Sequence, residues 1–175
     1  MYMQVNDENR SPRRIPGLDL RGTGYCPNLN FRRTARAVTR LFDLAFQNSG
    51  VRSTQFTILV AVAKTQPCSI SALSNVLLID STTLTRSLRL LQKEGWLSVS
   101  ARSIKRQRFV NLTPLGEQVL ARTVPLWRKA QEQFVDTVGQ DYWLNMRSEL
   151  ERLAHVAVDL ERPPSDPTPG PAVTQ

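Results

Sequence analysis

Between Cys68 and Leu112 the chain reads CSISALSNVLLIDSTTLTRSLRLLQKEGWLSVSARSIKRQRFVNL, and the spacing of its apolar residues keeps changing. A short apolar segment stops at a tight break over Leu78 to Ser81, and a longer amphipathic segment follows, ending at Gly95. Leu97-Ser98-Val99 then alternates with period two, and Arg108 to Leu112 reads as a returning strand. Few folds accept that order. It spells helix, turn, helix and β-hairpin wing, and so predicts a mainly α chain with a small β-wing.

The second helix of this unit carries most of the chemistry. With successive residues about 100° apart, Leu84, Leu88 and Leu91 fall in one narrow sector. Opposite lie Thr82, Arg86, Arg89 and Lys93, with Thr85 at the flank, so the polar face offers hydroxyls first and cations further along. Short hydroxyl side chains and arginine forks suit base edges and phosphates in a nucleic-acid groove. Asp80 or Ser81 is placed to cap the first turn, and Gly95 to end the helix in the left-handed conformation. Charge patterning alone would equally describe an ordinary solvated face. The wing shifts the balance: from Arg86 through Arg108 there are seven Arg/Lys and one acid, Glu94. Arg102, Lys105, Arg106 and Arg108 would flank the helix at the level of a DNA backbone or minor groove.

A chain of 175 residues with 41% hydrophobic content supports one ordinary domain and is short for two. Its net charge of +8 and pI near 10.3 call for a polyanionic partner, a description that fits nucleic acid, anionic membrane and acidic protein alike. No run approaches the roughly 20 apolar residues of a spanning helix, and MYMQVNDENRSPRR lacks a signal core, so a cytoplasmic protein with no membrane partner is expected. Cys26 and Cys68 show no metal-ligand spacing, which fits a reducing compartment. His155 is the single histidine, without a partner cluster. There is no GxSxG, P-loop or GxGxxG, and no nucleophile with an activating partner, so neither catalysis nor a cofactor nor a metal is expected.

Residues 1–27 read as a flexible arm punctuated by Ser11-Pro12, Ile15-Pro16-Gly17 and Gly22-Thr23-Gly24. Asn28 or Asn30 opens a helix over 28–48, with Phe31, Ala35, Val38, Phe42 and Ala45 on one stripe and Arg32, Arg33, Arg36 and Arg40 on other faces. A second helix starts near Ser53 and is stopped by Pro67. Thr113 and Pro114 have the character of a helix start, giving a helix over 114–138 with a bend at Pro125 and a stop at Gly139. Asp141 caps a last helix, 141–160, where Leu150, Leu153, Ala157 and Leu160 repeat at helical spacing. Five prolines from Pro163 to Pro171 mark 163–175 as a disordered tail. A winged helix over 53–113 does not need the helices at 28–48, 114–138 and 141–160 for its own core. Their apolar stripes therefore predict a homodimer, the arrangement that presents two reading helices to successive major grooves.

The run Arg32 to Leu41, the start Thr54-Gln55-Phe56, Asp80 to Arg86, Leu91 to Trp96 and Leu112-Thr113-Pro114-Leu115-Gly116 together resemble the MarR family of bacterial transcription regulators. The resemblance covers roughly Asn28 to Leu160, within a MarR-type domain over 28–162. It implies a nucleoid-associated homodimeric repressor on a pseudo-palindromic duplex operator, released by a small anionic or aromatic inducer or by thiol oxidation. By position, Ser81, Thr82, Thr83, Thr85, Arg86 and Arg89 would enter the major groove, and Arg106 stands where the family's wing arginine enters the minor groove. Two residues before it, where the family usually has an aspartate that holds the wing, this chain has Ile104. For the signal, the resemblance points to Cys26, beside Arg32 and Arg33, as a redox thiol. It also points to Tyr25, Phe42, Phe46 and Trp127 as a ligand pocket, although aromatics at helical spacing also describe plain core. The rival is a winged helix that packages DNA without regard to sequence or docks protein, since the fold does not fix the task.

Overall fold

A computed structural model describes residues 15–100 and 108–161. Contacts divide the chain into two units, residues up to Leu41 and residues from Phe42 onward.

In the described part of the first unit a 3-10 turn, Thr23–Tyr25, precedes helix α1, Pro27–Ala45, whose last turn belongs to the second unit. Proline opens α1 because its fixed φ suits a helix and the first position has no use for an N–H. The expected start at Asn28 or Asn30 is thus corrected: Asn30 lies inside the helix, its Nδ2 donating back to the carbonyls of Gly24 and Cys26, each at 3.0 Å.

α1 also ends earlier than its apolar pattern implied, at Ala45 instead of near Asn48. Phe46 is drawn into the core at 1% exposure. The chain then turns through Gly50, at φ +76°, with Ser49 Oγ donating to the Phe46 carbonyl at 2.8 Å and accepting from Val51 N at 3.1 Å.

The second unit continues with α2 (Ser53–Thr65), β1 (Cys68–Ser69), α3 (Ile70–Leu77) and α4 (Ser81–Lys93). It then runs through β2 (Leu97–Val99), β3 (Phe109–Leu112), α5 (Pro114–Val138) and α6 (Gln140–Leu160). The strands form an antiparallel sheet in the order β1-β3-β2, with Leu97 opposite Leu112, Val99 opposite Val110 and Cys68 also opposite Val110. Two points differ from the sequence reading. β3 begins at Phe109, Arg108 instead accepting from Ile70 N at 3.1 Å through its carbonyl, and β1 was not foreseen, being too short for a periodic pattern to register.

The core lies where α2, α3, α4, the sheet and α5 meet. Leu59, Val62, Leu84, Leu91, Val110 and Val119 are all fully buried there, and each such side chain contributes about 1.5–3 kcal/mol relative to exposure. Cys68 belongs to this cluster.

α5 runs unbroken through Pro125, and Gly139 at φ +93° closes it and serves as N-cap of α6. Asp141 is therefore not the cap. It sits in the first turn, where a carboxylate still favours the positive end of the helix. α6 packs on α5, with Phe134 and Trp143 edge to face at 5.6 Å, yet no residue of α6 is buried. No helix among the described residues is long and apolar enough to cross a membrane.

Candidate nucleic-acid interface

The site is built on α4, and α4 is held at both ends by chemistry local to the chain. At its start Asp80 Oδ1 accepts from Thr83 N at 2.8 Å, satisfying one of the free donors of the first turn. Its bonds to Thr83 hold the Asp80 carboxyl below the usual carboxylate range. At its end Gly95, at φ +74°, supplies the left-handed residue that releases the chain into β2.

The preceding turn is closed without glycine. Leu78 takes φ +50°, Ile79 N donates to the Ser74 carbonyl at 3.1 Å, and Ser74 Oγ donates to the Ile79 carbonyl. α3 is itself capped by Ser69 Oγ, which accepts from Ala72 N at 3.1 Å, and Leu73 anchors it in the core.

Burial then divides α4 into two faces. Leu84, Leu88 and Leu91 are buried, while Ser81, Thr82, Thr83, Arg86, Arg89 and Lys93 are exposed together on the other side. Thr85 is half-buried and its hydroxyl donates to the Ser81 carbonyl at 2.6 Å, so only its acceptor capacity and methyl remain for a ligand. In the wing Arg108 is exposed at the base, where Ser100 N donates to the Phe109 carbonyl at 2.8 Å. Arg102, Lys105, Arg106 and Ile104 lie outside the described residues.

Sequence reasoning missed a joint beneath this surface. Thr113 Oγ1 donates to the Gly95 carbonyl at 2.6 Å and accepts from Gly116 N at 3.0 Å, while Thr113 N donates to the Trp96 carbonyl at 3.1 Å. One residue thus caps α5 and fastens it to the far end of α4. Gly116 lies so close that a Cβ there would come within 2.1 Å of the Trp96 carbonyl oxygen. The signal was present in Leu112-Thr113-Pro114-Leu115-Gly116, but a sequence shows a cap and not what the cap reaches across to.

The residues named for signal input are divided between the two units. Cys26 is exposed and Cys68 is buried. Tyr25, in the first unit, is 90% exposed. In the second, Phe42, Phe46, Phe56 and Trp127 form a chain of ring contacts with centroids 5.1–6.3 Å apart, and Phe46 is core.

A helix-turn-helix whose second helix exposes hydroxyls and cations, followed by a β-hairpin and long flanking helices, defines a winged helix-turn-helix protein. Comparison with known proteins agrees. The model of the MarR family matches residues 51–103. The chain is 30% identical to the transcriptional regulator MosR of M. tuberculosis in complex with DNA, with a TM-score of 0.72 over 78% of this chain and 99% of that one. A second MosR structure gives 29% identity and a TM-score of 0.67, over 77% of this chain and 96% of that one. A cysteine-to-serine variant of MarR from E. coli, complexed with operator DNA, shares the fold at 20% identity and a TM-score of 0.68, over 78% of this chain and 99% of that one. No curated protein sequence matches the chain. The chain belongs to the MarR family of transcriptional regulators.

Proposed function

We propose that the protein is a homodimeric repressor that reads a pseudo-palindromic duplex operator through α4 and its wing. The observation that carries this is the two-sided chemistry of α4: a fully apolar buried face, and an exposed face of Ser81, Thr82, Thr83, Arg86, Arg89 and Lys93. The hydroxyls stand at the end that enters a groove, with the guanidiniums of Arg86 and Arg89 one and two turns further along to take guanine edges or phosphates. Thr85 adds an apolar methyl, Arg102, Lys105 and Arg108 reach the flanking backbone, and Arg106 enters the minor groove. The DNA-bound state of the MosR relative supports the same partner for this chain.

The dimer is supported by α6, whose Leu150, Leu153 and Leu160 remain 37%, 38% and 81% exposed in a single chain. A second copy covering α5 and α6 would bury them and set two reading helices about one helical turn of DNA apart. The division of labour that follows is a reading unit over 53–113, with the dimer made by α1, α5 and α6.

Recovery and sequencing of genomic fragments bound by the purified full chain tests the reading. Enrichment of fragments sharing a two-fold-related site is expected. Uniform recovery of the genome would make the protein a packaging factor instead.

For release from DNA, a small anionic or aromatic inducer acting near Phe42 and Trp127 is the first reading, because both rings are only half-buried. The exposure of Cys26 favours thiol oxidation as the second. Under that reading, peroxide releases the wild-type protein from its operator and leaves Cys26→Ser bound. Release of the variant as well would exclude this thiol.

A further inference from the structure

α1 carries a second basic surface, separate in sequence from α4 and the wing. At about 100° per residue, Arg32, Arg33, Arg36 and Arg40 fall within roughly 100° of arc on one side of the helix. All four are exposed, and none takes part in an ion pair among the described residues, where the pairs are Arg21–Asp19 and Arg152–Glu149. From Pro27 to Leu41 there are four arginines and no acidic residue, which is half of the chain's formal +8. The one acid of α1, Asp43, is engaged elsewhere, its Oδ1 accepting from Ser53 N at 2.7 Å.

Four like charges so close together repel one another, and no acid among the described residues pairs with them. The residue type narrows the occupant. All four are arginine, whose planar fork holds phosphate oxygens two at a time and sheds water more readily than an ammonium. From Arg32 to Arg40 the stripe runs about 12 Å along the axis at ~1.5 Å per residue. Measured along the axis of duplex DNA, at about 3.4 Å of axis per phosphate of one strand, that length matches roughly four phosphates.

We propose that the Arg32, Arg33, Arg36 and Arg40 face is a second, sequence-indifferent phosphate-binding surface that takes the backbone of duplex DNA. This goes beyond α4: it adds affinity at any sequence and discrimination at none. It deepens the DNA-binding reading above but does not depend on operator specificity.

The test uses the full chain and the triple variant Arg32→Gln, Arg36→Gln, Arg40→Gln. Binding to an operator-bearing duplex and to a random duplex is measured across a salt series. Each lost phosphate contact removes about 0.9 from the slope of log affinity against log salt. The triple variant therefore loses up to about 2.7 of slope per protomer, equally on both duplexes, with the operator-to-random ratio unchanged. Arg→Lys at the same three positions keeps the slope, because the charge remains.

An unchanged slope in the glutamine variant overturns the proposal. So does a weakened dimer at unchanged slope, seen by light scattering, since the stripe would then be facing acids of a second copy. Loss of inducer response at unchanged slope overturns it too, in favour of a small anion. Arg86→Ala runs alongside as the specificity control: a wild-type chain with no operator preference defeats the α4 reading, while the slope still decides the stripe.

Discussion

Thr113 and Gly116 show how much of this molecule hangs on single atoms. The Thr113 hydroxyl serves two backbone groups on different elements, so Thr113→Val, nearly the same in shape, removes the Gly95 bond and the α5 cap together. A loss of about 2 kcal/mol is expected, from two bonds of roughly 1 kcal/mol each, read as a shift in urea midpoint. At Gly116 the backbone of Trp96 would have to move to admit a methyl group. Gly116→Ala is expected to destabilise by about 3 kcal/mol, at the upper end of overpacking. A variant melting with the wild type would mean that the two segments are not in contact.

Asp80 makes a prediction of the opposite kind, set by pH. Its carboxyl is held lower in the folded chain than its ordinary value of 3.8, first by the bonds from Thr83. A group with a lowered folded pKa stabilises above its unfolded pKa and loses that contribution as pH falls through the folded value. Asp80→Ala should therefore melt below the wild type near neutral pH, with the gap closing as the solution is acidified below the carboxylate range. A gap that persists unchanged in strong acid would show that the cap does not depend on the charge.

At the level of elements, the helices and the hairpin were legible because each is long enough to show its period. α4 was read from Asp80 to Gly95 because a cap, an apolar stripe and a left-handed stop all fall in register. The two residues of β1 gave no such pattern. The turn between α3 and α4 was visible as a break, but its mechanism was not, since Leu78 takes a left-handed conformation usually left to glycine.

That conformation costs an L residue roughly 1–2 kcal/mol, and the Leu78 side chain, 62% exposed, recovers little of it by packing. Leu78→Gly is expected to raise stability by up to ~1 kcal/mol, after glycine's own entropic cost of ~0.5–1 kcal/mol. A thermal melt below wild type would show that the leucine is held by contacts outside the single chain.

For the molecule as a whole, the least legible part was what the flanking helices do. Their stripes predicted burial, yet no residue of α6 is fully buried in one copy of the chain, and Phe46, named for a ligand pocket, is packed as core. Periodicity shows that a face is apolar and leaves open which molecule covers it. If a second copy covers α6, Leu150→Glu with Leu153→Glu should yield monomers by light scattering, with helix content retained because neither side chain serves the single chain's core. A dimer that survives both charges would move the interface elsewhere.

Whether the exposed face of α4 reads duplex DNA is decided by competition binding of operator against random duplex at physiological salt. The wild-type chain should prefer its operator by about 10³ or more, and Arg86→Ala should lose about 1–3 kcal/mol on the operator with its dimer intact. An unchanged operator affinity in Arg86→Ala, or a wild-type protein that treats both duplexes alike, would contradict that role for α4.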